Sequence, residues 1–235
     1  MAKWQERAEL LFKEEGLNRL KNSNVLVVGL GGVGSFAAEF LVRAGVGKMT
    51  IVDGDTVDIT NINRQLPALH STVGEPKVKI VGDRLMDINP ELSLIRVEEF
   101  LSPERATEIV TPEFDYVLDC IDSLTPKINL LVAAKRKKIK VISNMGAGGK
   151  FDVNKVVVRD ISKTEVCPLA KNIRKRLKKA GINKGVKAVY SIEHPDASSL
   201  KTTDGSNFKK SFYGTNSWMP ALFGLHAAET VVKHL

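Results

Sequence analysis

A doubly wound, mostly parallel α/β sheet of Rossmann-like type, with helices on both faces and an antiparallel extension, is the fold that three features of this 235-residue chain predict. Short apolar runs alternate with amphipathic stretches of helical length, the pattern that builds a parallel sheet through crossover connections. The first apolar run, Val25–Val28, turns directly into Gly29-Leu-Gly-Gly-Val-Gly34 and then a helix. Such a glycine turn lets backbone pass close to a phosphate, with N–H groups at the helix start, here Ser35, facing the anion. Asp53 ends the next apolar run about twenty residues past the last loop glycine, where a ribose-binding acid belongs.

At 43% hydrophobic residues, the chain can bury one sizeable core, so residues 1–235 are expected to form one domain. Residues 1–150 read as a nucleotide-binding core and 151–235 as a substrate-side extension. The first helix is expected from Ala8 to Leu20, with Leu10, Leu11, Leu17 and Leu20 on or near its apolar face. Strand 25–28, a helix over 35–44 and strand 49–52 make a βαβ unit. After the break at Gly74-Glu-Pro76, a helix runs over 77–88, followed by strands at 93–97 and 116–119. A helix over 126–137 and a buried strand at 140–143 complete the core. The alternation of Val153, Val156 and Val158 with polar residues over 151–159 predicts an antiparallel or edge strand. A helix over 169–180 has a stripe of Leu169, Ile173, Leu177 and Ala180 under a basic face. Only 186–192 looks like a strand within the Gly- and Ser-rich stretch 183–210, read otherwise as mobile loop, and 218–235 forms a closing amphipathic helix.

Composition narrows the partners. The formal charge is +8, and from Lys171 to Lys187 there are eight Lys or Arg and no acid. An uneven basic distribution of this kind suits a polyanion. The two cysteines, Cys120 and Cys167, lie far apart with no Cys-x-x-Cys, which excludes a four-cysteine zinc site, so no zinc is expected. The N-terminus is too polar for a signal peptide and no run of eighteen apolar residues occurs. A cytoplasmic protein with no membrane partner is therefore expected.

The chemistry sits in and after the glycine loop. Gly29, Gly31, Gly32 and Gly34, with Asp53 and Asp55, mark only a nucleotide site, for which NAD is the default occupant. Asn61, Asn63, Arg64 and Gln65, read as preceding an apolar helix, change that. An arginine and amides converging on phosphates serve a nucleoside triphosphate and have no use in a nicotinamide site. Lys77 is either a point charge for those phosphates or a solvated residue at a helix start. Asp122, at the carboxyl end of the 116–119 strand, is placed either to hold Mg²⁺ on phosphate oxygens or, with Ser123, to cap a helix. Asp119 and Cys120 read as strand residues.

Gly-Leu-Gly-Gly-Val-Gly, Asp-Gly-Asp, Asn-Ile-Asn-Arg-Gln, Gly-x-Pro-Lys and Asp-Cys-Ile-Asp-Ser follow in this order. In this the chain resembles the adenylating superfamily of the ubiquitin-activating enzymes, whose bacterial members activate molybdopterin-synthase and thiamine sulfur-carrier proteins. The resemblance covers roughly residues 1–150. It implies that Gly31 and Gly34 line ATP, Asp53 binds the ribose, Asn63, Arg64 and Lys77 handle the phosphates, and Asp122 holds Mg²⁺. It also implies a homodimer in which Arg7 reaches into the partner's ATP site. The chain lacks the paired Cys-x-x-Cys of the sulfur-carrier activators, and Cys167, before Pro168-Leu-Ala, reads as structural.

What remains resembles the short tRNA threonylcarbamoyladenosine dehydratase branch, through Asn144-Met-Gly-Ala147, Pro168-Leu-Ala with its basic helix, Val189-Tyr-Ser191 with Glu193, and the closing helix. That branch implies a tRNA carrying threonylcarbamoyladenosine as partner, and a sulfur-relay protein stays open as another. Lys171, Arg174, Lys175, Arg176, Lys178 and Lys179 would supply a sequence-independent footprint for tRNA phosphates, while Lys135–Lys138 reads as solvated surface. Activation of a sulfur-carrier or ubiquitin-like tail, and an NAD(P)-dependent oxidoreductase, are the competing readings.

Overall fold

The computed structural model describes residues 3–202 and 211–235. In chain order its elements are helix α1 (Glu6–Asn22), strand β1 (Asn24–Val28), α2 (Gly34–Ala44), β2 (Lys48–Val52), α3 (Lys77–Ile88), β3 (Ser93–Val97), α4 (Pro103–Ile109), β4 (Tyr116–Asp119) and α5 (Leu124–Arg136). Then come β5 (Lys140–Asn144), β6 (Val156–Asp160), α6 (Pro168–Lys179), β7 (Lys187–Ser191), β8 (Leu200–Thr202), β9 (Ser211–Tyr213) and α7 (Trp218–Val232).

Seven strands form one sheet in the order β3-β2-β1-β4-β5-β7-β6. All neighbours in it are parallel except β6, which runs antiparallel to β7 at the edge. The order reverses between β1 and β4, and ligands bind such sheets in the crevice beyond the carboxyl ends of the strands at that switch. The glycine turn follows β1 and Asp122 follows β4, so the topology alone sets both on one crevice. The buried stretches of β1, β4 and β5 are apolar except at the carboxyl ends of β4 and β5, where Asp119, Ser143 and Asn144 are buried.

Several local expectations give way to tertiary context. Leu17 and Leu20 are buried, but Leu10 and Leu11 are 71% and 76% exposed. The helix breaks at Lys13 (φ 61°), and before the break Ala8 and Phe12, not Leu10 and Leu11, pack against the core. The 151–159 stretch becomes a strand only at Val156, because Asp152 accepts the Asn154 amide and bends 153–155 into a 3₁₀ turn. Within the stretch read as loop, Ala197–Ser199 is a 3₁₀ turn and β8 pairs antiparallel with β9. The rest of that reading, 203–210, lies outside the described residues. No helix among the described residues is long and apolar enough to cross a membrane.

Candidate active site

The glycines of the first turn do different work. Gly29 sits at φ +91°, and a Cβ there would lie 2.8 Å from the Cys120 carbonyl oxygen. A Cβ at Gly34 would overlap the Gly29 carbonyl, so these two glycines let β1 turn into α2 against β4. At Gly31 a Cβ would meet only the Gln65 side chain, at 3.6 Å, so this position leaves room for a ligand. Gly32 is roofed by Pro220 of α7 (3.0 Å to a Cβ) and by the Arg64 carbonyl. The Ser35 N–H does not face an anion. It donates to the Gly31 carbonyl, as does the Ser35 hydroxyl. Among the described residues the amides of Gly31, Gly32, Val33 and Gly34 make no hydrogen bond, and they are donors left to line a phosphate.

Asp53 fastens the turn. Its Oδ2 accepts the Leu30 amide at 2.6 Å and its Oδ1 the Asp55 amide at 2.8 Å. Burial pushes its carboxyl above the ordinary value, against the pull of those amides and of Lys77. Each oxygen still has a lone pair for a sugar hydroxyl. Lys77 is not a solvated lysine. Its ammonium is buried and pairs with Asp55 at 2.9 Å, while its amide donates to the Asp55 carbonyl.

The Asn61–Gln65 run does not precede a helix directly. Asn61 closes a 3₁₀ turn begun by Asp58, accepting the Asp58 amide through Oδ1 at 3.3 Å. That tight turn aims the following side chains at the crevice. Arg64 donates to the Thr60 carbonyl at 2.8 Å and to Asn63 Oδ1 at 2.7 Å. Partial burial lowers its pKa, opposed by the negative charge of Asp122. Asn63 in turn donates to the Thr215 carbonyl at 2.9 Å, joining this cluster to the segment before α7. Gln65 Oε1 is buried with no hydrogen-bond partner among the described residues. Asp122 is exposed and accepts from Ser123 Oγ at 3.3 Å; Ser123 begins α5 without a side-chain cap.

Beneath the crevice lies a buried polar layer that no local pattern announces. Lys127 of α5 pairs with Asp119 at 2.6 Å and donates to the Asn144 carbonyl at 2.9 Å. Ser143 donates to the same Asp119 carboxylate at 2.5 Å. Burial pushes the Asp119 carboxyl up, against Lys127. This layer links β4, α5 and β5 directly under Asp122, and a lysine within an otherwise apolar helix face is its only trace in the sequence.

Arg7, expected to serve a partner's site, lies outside the crevice of its own chain. Arg7 is exposed on α1, and its neighbour Gln5 lies against Gly45 at the far end of α2. Since α2 has 11 residues, roughly 16 Å of helix separates that end from the glycine turn. On the basic helix, Lys171, Lys175, Arg176, Lys178 and Lys179 are exposed as expected. Arg174 is half-buried, donating to the Thr164 carbonyl at 2.7 Å and to its hydroxyl, so it holds the loop before α6 instead of standing free. Cys167 is buried at the start of α6.

With this geometry the matching family model covers residues 5–235. The chain belongs to the ThiF family. A tRNA threonylcarbamoyladenosine dehydratase of Bacillus subtilis is 43% identical over 236 residues, 97% of this chain and 93% of that protein. The Escherichia coli protein of that name is 38% identical over 200 residues, 81% of this chain and 75% of that one. The crystal structure of E. coli tRNA N6-threonylcarbamoyladenosine dehydratase, TcdA, in complex with ATP matches with a TM-score of 0.88 at 34% identity, over 99% of this chain and 95% of that one. By contrast, similarity to an E. coli molybdopterin-synthase adenylyltransferase spans 56% of this chain. The family and branch read from the motifs therefore hold, and the ThiF-family core carries the crevice just described.

Proposed function

We propose that this protein uses ATP to adenylate the threonyl carboxylate of threonylcarbamoyladenosine in tRNA, and then closes that side chain into its cyclic form. The observation that carries the reading is Arg64, anchored by Thr60 and Asn63, with the glycine turn after β1 and Asp122 after the neighbouring strand β4. A fixed cation and a carboxylate beyond a phosphate loop suit transfer at a triphosphate; hydride transfer would use neither. The similar proteins named tRNA threonylcarbamoyladenosine dehydratase supply the substrate class.

In this reading a carboxylate oxygen of the substrate attacks the α-phosphorus of ATP, and the bond to the bridging oxygen breaks. Pyrophosphate leaves, and the oxide that could not depart from a carboxylate is replaced by AMP. A nitrogen or oxygen of the same side chain then attacks the acyl carbon, AMP departs, one proton is released, and the net result is loss of water. That second step is intramolecular and needs no enzyme thiol. Asp53 would hold the ribose, Gly31 and Gly32 the phosphates, and Arg64, with Asn63 and Lys77, the charge that grows on the leaving pyrophosphate. Asp122, an exposed hard carboxylate beside that position, fits Mg²⁺, which takes one or two carboxylates plus phosphate oxygens and water. When bound, the ion would neutralise charge on those oxygens.

We place the protein in the cytoplasm as a homodimer of single adenylating domains. Arg7, remote from the crevice of its own chain, would serve the site of its partner. The exposed Leu10 and Leu11 beside it give a second copy apolar surface to cover. The exposed cations of α6 would carry the tRNA backbone.

The test is AMP formation from ATP in the presence of threonylcarbamoylated tRNA, unmodified tRNA and candidate carrier proteins side by side. AMP is expected only with the modified tRNA. AMP formed with a carrier protein alone would move the reading to tail activation, and none in any arm would overturn adenylation.

A further inference from the structure

Phe151 and Trp218 form an exposed aromatic pair at the rim of the crevice. Their ring centroids are 6.3 Å apart at 56°, and the side chains are 63% and 47% exposed. Two large apolar rings left in solvent are usually explained by packing, yet these are held in place from the backbone side. The Trp218 indole N–H donates to the Phe151 carbonyl at 3.2 Å. The Phe151 and Asp152 amides donate to the Glu193 carboxylate at 3.1 and 3.0 Å. The edge of the indole is satisfied while its face stays open, which is how an aromatic residue is prepared for stacking.

The pair is also tied to the reaction centre. Trp218 begins α7, and Pro220, two residues on, roofs Gly32 of the phosphate turn. Just before it, Thr215 accepts from Asn63, which also binds Arg64. Asn216 donates to the Lys150 carbonyl at 2.7 Å, next to Phe151. The segment from Thr215 to Pro220 is thus strapped to the glycine turn, to the arginine and to Phe151. The acids beside the pair are occupied: Glu193 by two amides, and Asp152 by the Asn154 amide and by Lys155 at 3.6 Å. In a chain of charge +8, such a rim is open to a strand carrying phosphates.

We propose that Phe151 and Trp218 are a stacking platform for the unpaired nucleobase flanking the threonylcarbamoyladenosine; the proposal rests on the tRNA reading above. Bringing a carboxylate borne by an adenine deep into a crevice is eased when that adenine leaves its stack, which bares a face of the neighbouring base. Single-stranded loops are recognised by aromatic side chains that take up such bared faces, whichever base they belong to.

The experiment measures binding of an anticodon stem–loop RNA bearing threonylcarbamoyladenosine, with an abasic nucleotide placed on either side of it in turn. Trp218→Ala and Phe151→Ala should each weaken binding of the intact RNA by on the order of tenfold to a hundredfold. Trp218→Phe should recover most of that loss, a result that separates stacking from folding. One of the two abasic RNAs should bind the parent protein equally weakly and lose nothing further with Trp218→Ala. Additive losses, unchanged affinity of the alanine variants, or a fall from dimer to monomer in sedimentation would overturn the platform alone; the last would make the pair a contact between subunits. If the parent protein neither binds the intact stem–loop nor forms AMP with threonylcarbamoylated tRNA, the tRNA reading fails and the platform with it.

Discussion

The nucleotide half and the substrate half of this molecule treat their polar side chains in opposite ways. Around the glycine turn nearly every functional group is fixed by another. Asp53 is held by two amides, Lys77 by Asp55, and Arg64 by Thr60 and Asn63. Beyond β5 the conspicuous groups stand in solvent: the cations of α6 and the faces of Phe151 and Trp218. A triphosphate has one shape, and transition-state charge is stabilised best by dipoles and ions that need no rearrangement. An RNA backbone is long and compliant, and is met by charges whose exact placement matters little. The difference predicts that single substitutions in the first half will be severe, whereas those in the second half will be graded and salt-dependent.

The sharpest way to break that contrast is Asp122→Ala. It removes one exposed carboxylate and no core volume, so the fold should keep its melting temperature. AMP formation should fall by on the order of a thousandfold or more. Turnover at the parental rate, with the parental Mg²⁺ dependence, would remove Asp122 from the machinery and leave the nucleotide half no more exacting than the other.

How the two halves could be read from sequence follows the same division. Strands β1, β2, β4 and β5 are largely buried, so each carries a short apolar run that names itself, and β3 follows in register. The glycine turn, Asp53 and the 61–65 run are close in sequence because one crossover unit delivers them all. What was not legible depends on distant partners. Lys77 looks solvated until Asp55 is brought over it, and Lys127 looks like surface until Asp119 closes on it. Helix α4 has seven residues, most of them polar, and offers no periodicity to detect. The Phe151–Trp218 pair joins residues 67 apart in the chain, which no pattern of local spacing can suggest.

Arg7 tests whether the nucleotide half is complete within one chain. Arg7→Ala and Arg64→Ala homodimers should both be nearly inactive. Mixed in equal amounts and allowed to exchange, they should recover about a quarter of the parental active sites, since half the dimers are hybrid and each hybrid keeps one intact site. Hybrid dimers that form, as native mass spectrometry would register, and yet show no activity would exclude a contribution from the partner.

The basic helix should behave as a sum of small terms. Neutralising Lys171, Lys175, Lys178 and Lys179 to Gln should weaken tRNA binding. For every phosphate no longer neutralised, the log–log salt slope should fall by roughly 0.7 to 0.9. Arg174 is left out because its bonds to Thr164 make it part of the scaffold. ATP affinity is the internal control, as α6 is separate from the crevice. Equal tRNA affinity across a salt titration would mean that these cations only solvate the helix, and the two halves would then differ in exposure but not in function.

Cys167 carries the smallest expected effect and decides between two chemistries. A thiol that formed a thioester with a protein tail would need access and an ionised sulfur. Cys167 is buried at the N-cap of α6, whose Ala170 and Ile173 are buried as well. Ring closure within the substrate asks nothing of it. Cys167→Ser exchanges one small side chain for another at nearly the same volume and places a hydroxyl in a buried site. A loss of about 1 kcal/mol of stability is the ordinary scale for such a change. The tRNA-dependent rate should therefore stay within about threefold of the parent at a temperature well below melting, since a destabilisation of that size leaves most molecules folded. A thousandfold loss with the melting curve intact, or a thioester trapped between Cys167 and a carrier protein, would give the substrate half a catalytic group as exacting as Arg64. The contrast between a fixed half and a compliant one would then fail where it matters most, because bond making would no longer be confined to the crevice between β1 and β4.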